Sequence, residues 1–265
     1  MTLRDFLVRG LLAGLVAGLA AFVVGYVSGE PAVAASIAIE ESGGSHDHGT
    51  AADEPAADEP AADEEASGTE VPRSLQSTLG LATGMLVLGT ALGGLAGIGT
   101  GLAFGRFGRR SARATSMAVV GVGFVTIFFV PFLIYPPNPP AVGHGETIGY
   151  RTALYFGMMA ISAIAAALAL YLARHLLPRL GAWYAGLAGV GTYLVISLIA
   201  LAAMPRYDEV PAEFPASLLY EFRLSSLVTQ AVLWAVMGVV LGELTHRLSV
   251  SRVAPVREAS LAGVR

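Results

Sequence analysis

An all-α integral membrane protein with six transmembrane helices is the fold this sequence predicts, and three observations carry it. Hydrophobic residues fill 54% of the 265 positions and charged residues only 14%, against about 25% charged in an ordinary soluble domain. The mean hydropathy is +0.64, and the apolar residues come in long blocks. Six of those blocks reach the ~20 residues that a helix needs to cross a bilayer core about 30 Å thick.

The six run roughly Phe6–Val27, Leu79–Phe104, Thr115–Ile134, Thr152–Ala173, Trp183–Met204 and Leu224–Leu244. The segments between them are 28–78, 105–114, 135–151, 174–182 and 205–223. The chain thus divides into a first helix over 1–27, a long segment over 28–78, a five-helix membrane domain over 79–245 and a tail over 246–265.

The arginines orient it, because cytoplasmic flanks collect positive charge. With the N-terminus inside, the inner segments hold 12 of the 16 basic residues against Asp5, Glu243 and Glu258. The outer segments hold Arg73, Arg151, Arg206 and Arg223 against the other 17 acids. The net charge of −4 is therefore +9 on one face and −13 on the other. Both termini are expected in the cytoplasm of a bacterial cell, with the chain multi-pass in the plasma membrane.

The first span has a second reading. Arg4 and Arg9, an apolar run and Ala32-Val33-Ala34 resemble a secretory signal with a small-residue cleavage site. Its apolar run of about 22 residues exceeds the 7–15 of a signal core, which favours a retained helix. If it is removed, five spans remain.

Segment 28–78 reads Ser45-His46-Asp47-His48-Gly49 and then three Ala-Ala-Asp-Glu units. It has no aromatic residue and strong negative charge, so it is expected to be disordered. Two imidazoles, His46 and His48, flanking Asp47 are donors for borderline divalent metals, and the surrounding acids concentrate any cation. The plain alternative is a solvated spacer.

The first span carries Gly10, Gly14 and Gly18, and the second carries a longer series, Gly89, Gly93, Gly97, Gly101 and Gly105. Small residues four apart let helix backbones approach in lipid, which favours packing within the chain over a subunit interface. Gly97-Ile98-Gly99-Thr100-Gly101 follows no strand and is no dinucleotide loop.

After the third span comes Tyr135-Pro136-Pro137-Asn138-Pro139-Pro140, a stiff extended turn, then His144 and Glu146. The third outer loop carries Pro205, Arg206, Tyr207, Asp208, Glu209 and Pro211. These loops are expected to form a structured outer mouth, where His144, Glu146, Asp208 and Glu209 either converge as metal ligands or stand solvated. Gly121-Val122-Gly123 with Pro136 and Arg151 echoes Gly189-Val190-Gly191 with Pro205 and Arg223, so spans three and four read as repeated in five and six.

The last span is the most polar, with Gln230 one turn from Ser226, and a path or a simple interhelical hydrogen bond explains it equally. At the inner end, Glu243, His246 and His175 could hold a metal, though helix-end charges are commoner. The methionines read as apolar filler.

Lysine and cysteine are absent. That excludes a Walker-A loop, a Schiff-base enzyme, a disulfide and a thiolate metal site. No nucleic-acid partner, permanent cofactor or enzymatic activity is expected. The oligomeric state is open.

Taken together, the Gly-rich first span, the His/acidic segment, Phe132–Pro140, Glu146-Thr147-Ile148-Gly149-Tyr150-Arg151-Thr152 and Pro205–Pro215 leading to Phe222-Arg223 resemble the CbtA-type probable cobalt transporter subunits. The Tyr-Pro-Pro-Asn-Pro-Pro string is the most specific part. The resemblance covers most of the chain. It implies a membrane subunit for cobalt supply to cobalamin, working beside a small single-span CbtB-type partner, with cobalt as cargo. It transfers no residue roles. The family is usually described with five spans, and its histidine segment is often richer. Two alternatives are a membrane scaffold that docks a metal-binding partner and, far behind, a lipid-modifying enzyme.

Overall fold

The computed structural model describes residues 2–44, 72–106 and 111–262. Among them the chain is helical, without strands, and five continuous helices are long and apolar enough to cross a membrane. One of the five, Ile148–Ala203, is broken at Gly181, and its two halves are the predicted fourth and fifth spans. At Gly181 φ is 72° and ψ 170°, a backbone conformation essentially confined to glycine. The predicted connection over 174–182 is therefore helical except at this one residue.

Other boundaries move as well. The first span does not stop at Val27: Leu3–Val24 leads through a π turn at Gly25–Gly29 into a further helix, Glu30–Gly44. The near end of the segment expected to be disordered is thus helix, and so is its far end from Arg73. The sixth span begins at Ala216, and its helix continues through Ala262, so most of the tail over 246–265 prolongs it.

Proline explains two of the three π turns. Pro31 and Pro131 each lie two residues beyond one, at Gly25–Gly29 and Phe124–Phe129. A proline inside a helix brings no N–H and clashes with the carbonyl four residues back. Widening the preceding turn relieves that clash. For Pro131 the stranded carbonyl belongs to Ile127, and the Tyr155 hydroxyl donates to it at 3.4 Å.

The first two spans interlock through their glycines. A Cβ on Gly14 would lie 2.0 Å from the Gly89 carbonyl oxygen, and one on Gly93 would lie 2.3 Å from that of Gly10. The ladder is thus an intramolecular seam, as its spacing predicts. Gly105 is not part of it, having a φ of +76° just past the helix end.

The third and sixth spans complete the larger core, in which Ala13, Ala17, Ala96, Val120, Trp234 and Met237 are buried. Gly123 makes room for the Trp234 ring. A second, outer core joins spans three, four and five through Val130, Tyr135, Met158 and Ala200. The third span is common to both cores.

The predicted repeat does not extend to packing. Gly123 receives the sixth span, whereas its counterpart Gly189 packs on Ala169 and Ala173 of the fourth. The fifth and sixth spans do not pack together as a hairpin.

Candidate functional site

The end bearing the proline-rich loops, called outer here, is tied together polar group by polar group. Tyr135 stacks on Tyr207 with ring centroids 5.5 Å apart and planes 4° from parallel. Its hydroxyl donates to the Pro205 carbonyl at 2.6 Å. Burial, and then the neighbouring Tyr207, push the Tyr135 phenol above its ordinary pKa. The Arg223 guanidinium donates to Asn138 Oδ1 at 2.9 Å. Arg151 and Arg223, matched in the sequence repeat, both reach into the loop that follows the third span: Arg151 donates to the His144 carbonyl at 3.1 Å.

Glu209 is the hub of this arrangement. Its Oε2 accepts from the His144 backbone N–H at 3.0 Å and from the Thr147 hydroxyl at 3.0 Å. Arg151 Nε lies 3.5 Å away, an ion pair longer than a hydrogen bond. The His144 N–H, then Thr147, hold the carboxyl below its ordinary pKa, with the charges of Arg151 and His144 adding to the effect. The mouth expected from the sequence is thus a locked cap.

The four residues predicted there as ligands do not form a metal cluster. Glu209 meets His144 through its backbone rather than its ring, and Asp208 accepts the N–H of Val210 at 3.2 Å. Among the described residues, no three His, Asp or Glu side chains stand close enough to hold an ion. His46, Asp47 and His48 lie outside the described residues.

Beneath the cap is a half-open cavity of about 870 Å³. Its roof is Tyr135–Pro140, and its walls come from the first, second, third, fourth and sixth spans. Ser226 and Gln230, singled out in the sequence, both line it, joined by Ser225 and Thr229. From Phe222 to Gln230 the lining descends about 12 Å at 1.5 Å per helical residue. Gln230 Oε1 accepts from the Trp234 indole at 3.2 Å, which anchors the floor to the core.

The cavity also contains a carboxylate that the sequence reading passed over. Glu30 lines it, with Oε2 accepting from Arg73 at 2.5 Å. Counted into the outer loop, Glu30 looked like one solvated acid among many. The missed signal was Pro31, which marks a widened turn inside a continuing helix.

At the opposite end the spans are shut. Ser116 and Thr245 share a buried hydrogen bond of 2.9 Å between the third and sixth spans. Arg9 Nε donates to the Leu244 carbonyl at 3.2 Å. Glu243 is clamped by Arg113 at 2.7 Å and Arg247 at 2.9 Å, so its oxygens face arginines rather than an ion shared with His246. His175 stacks on Tyr171 of its own helix.

A bundle of long apolar helices with a cavity beneath a proline-rich cap at one end marks a multi-pass membrane protein. The chain belongs to the family of the probable cobalt transporter subunit (CbtA), whose model matches residues 3–246. This is a transporter-subunit family and not an enzyme family. No curated protein matches the chain, and no solved structure does.

Proposed function

We propose that this protein is the membrane subunit through which a divalent cobalt ion passes inward, with the cavity beneath the proline-rich cap as the ion's outer vestibule. The observation that carries the reading is the coincidence of that cavity with the polar face of the sixth span, Ser225, Ser226, Thr229 and Gln230. Six waters around an ion occupy roughly 180 Å³ at about 30 Å³ each. The vestibule, at about 870 Å³, admits the ion with its hydration shell intact. Fit alone therefore cannot select cobalt there.

In this reading His46, Asp47 and His48, with the acids around them, raise the local cation concentration at the outer face. The arginine distribution supports a placement in a bacterial inner membrane with both termini on the cytoplasmic side. No nucleotide-binding motif is present in the sequence, so the drive comes from the membrane potential, an ion gradient or another subunit. A small single-span CbtB-type protein is the proposed partner.

The test is uptake of radioactive cobalt into cells lacking other cobalt importers, with this protein, its partner, both or neither. Uptake is expected with both present and absent with neither. No uptake in the complete set would refute transport and favour a scaffold that docks a metal-binding partner. Exchanging His46 and His48 for Ala should reduce uptake at limiting cobalt and spare it at saturating cobalt.

A further inference from the structure

We propose that Glu30 is the carboxylate that receives the divalent cation in the vestibule, and that Arg73 is the built-in counter-ion which the cation displaces. The inference rests on the transport reading for its biological meaning, though the site itself is defined by binding.

Glu30 reaches the cavity because of the π turn that precedes it. A π turn adds one residue to the helix, which rotates everything beyond it by about 100° relative to an uninterrupted α-helix. The turn itself rides on the sixth span: a Cβ on Gly29 would lie 3.7 Å from Ser225 Oγ, and one on Gly25 would lie 3.6 Å from the Thr229 methyl. The carboxylate and the hydroxyl-bearing face of the sixth span are consequently brought to the same cavity.

The donor chemistry suits a cation. The Ser225 and Ser226 hydroxyls each donate to the Phe222 carbonyl at 2.9 Å. With their protons committed, their oxygens have only lone pairs to offer the cavity. Glu30 Oε2 is held by Arg73, and Oε1 has no protein partner among the described residues. One carboxylate oxygen and two acceptor hydroxyls are oxygen ligands for a divalent ion that keeps most of its water.

Arg73 makes the site reversible. Its guanidinium and the Glu30 carboxylate are 38% and 18% exposed, so neither member of the pair is sealed in the core. An ion with two charges competes with an arginine that has one. When it moves on, Arg73 returns and neutralises the carboxylate.

The test is equilibrium binding of radioactive cobalt(II) to the full-length protein in lipid nanodiscs, in excess magnesium. His46→Ala and His48→Ala are included throughout to remove the outer imidazoles. Glu30→Gln should weaken binding by about tenfold or more, as loss of a charged partner does, and Glu30→Asp should retain most of it. Arg73→Gln should tighten binding about two- to fivefold, the range of a partly exposed ion pair.

The opposite signs decide the matter. A Glu30–Arg73 pair serving only as a strap between the first and second spans would shift both variants the same way, and that result overturns the proposal. So does unchanged affinity in Glu30→Gln, or absence of saturable binding in the parent. If Glu30→Gln folds poorly by size exclusion, Arg73→Gln alone carries the test, since a strap predicts no tightening. Opposite shifts without cobalt uptake in cells uphold the site while refuting transport. Uptake by the parent with no effect of Glu30→Gln on binding does the reverse.

Discussion

Gly14→Ala places one methyl group in the seam between the first two spans. Its Cβ would stand 2.0 Å from the Gly89 carbonyl oxygen, 2.8 Å from the Gly89 carbonyl carbon and 2.9 Å from Gly93 Cα. All three obstacles are backbone, so no rotamer change relieves the clash. Reaching an ordinary contact of 3.4 Å requires the helices to separate by about 1.4 Å locally. A gap of even 0.5–1 Å forfeits a quarter to a half of a dispersion contact, and in lipid such contacts are much of what holds helices together. Overpacking of a tight core costs about 1–3 kcal/mol, and an unyielding backbone puts this site at or above the top of that range. Gly84→Ala in the same second span is the control, because a Cβ there meets nothing within 4 Å. The assay is the midpoint of heat- or SDS-induced unfolding of the purified protein in detergent. Gly14→Ala should lower the midpoint sharply, and Gly84→Ala should leave it unchanged or slightly raised. Equal midpoints for the two variants would refute the close-packed seam.

Three further outcomes follow from the geometry. The Glu209 pKa is lowered in the fold, so its contribution to the cap is present above the unfolded carboxylate pKa and disappears as pH falls through the folded value. The protection of residues 205–215, corrected for the intrinsic exchange rate, should fall as the pH drops below the ordinary carboxylate range, and Glu209→Gln should show low protection already at neutral pH. Because the chain has no cysteine, the pair Ser116→Cys and Thr245→Cys gives a clean cross-linking test at positions whose side-chain oxygens are 2.9 Å apart. Oxidation should form an intramolecular disulfide and abolish uptake, and reductant should restore uptake; uptake that survives complete cross-linking would show that this end need not open. Gly181→Ala forces a φ of 72° on a residue with a Cβ, at a cost of about 1–3 kcal/mol, and should lower the thermal midpoint without affecting cobalt binding at the outer end.

The helical membrane class, glycine seam and outer cap were legible in the sequence because each depends on a local pattern. Twenty apolar residues make a span, Gly at every fourth place makes a seam, and Tyr-Pro-Pro-Asn-Pro-Pro admits few conformations. The boundaries were less legible. Hydropathy falls at Ser28 and Glu30, but Ala32–Gly44 retains enough helix propensity to continue the helix, and Pro31 is absorbed by the π turn rather than ending it. The connection expected over 174–182 rested on the gap between two apolar blocks, yet only Gly181 there departs from helical geometry. The site was half legible. Ser226 and Gln230 stood out because polar residues are rare in spans, whereas Glu30 was hidden among acids. The fates of Glu209 and Glu243 were illegible, because whether a carboxylate meets an arginine or a metal depends on which helices are neighbours.

The two ends of the bundle differ in a way that bears on how an ion could pass. The outer cavity is lined mostly by apolar side chains and prolines, with Ser225, Ser226, Thr229 and Gln230 of the sixth span, Glu30 of the first and Arg151 of the fourth among its polar groups. Below it the third and sixth spans are joined, and an inward path must part them. The Ser116–Thr245 hydrogen bond contributes about 0.5–1.5 kcal/mol, and the bond from Arg9 to the Leu244 carbonyl about 1.5–3 kcal/mol. The Arg113–Glu243 pair is 55% and 38% exposed, so solvent screening leaves it little weight. These two hydrogen bonds together contribute about 2–4.5 kcal/mol, in addition to the apolar packing of Val120, Trp234, Met237 and Leu241 between the spans. A potential of 100 mV acting on two charges supplies about 4.6 kcal/mol, at about 2.3 per charge. The work of the potential is of the size of these hydrogen bonds alone, so parting the packed spans also draws on ion-binding energy. That drive reaches the closure only if the ion binds the open form more tightly than the closed one. Ligands for that difference are at hand on the sixth span, which lines the cavity and makes both the Thr245 and the Leu244 contacts, and in Glu30 of the first span, whose Arg9 is the other partner of Leu244.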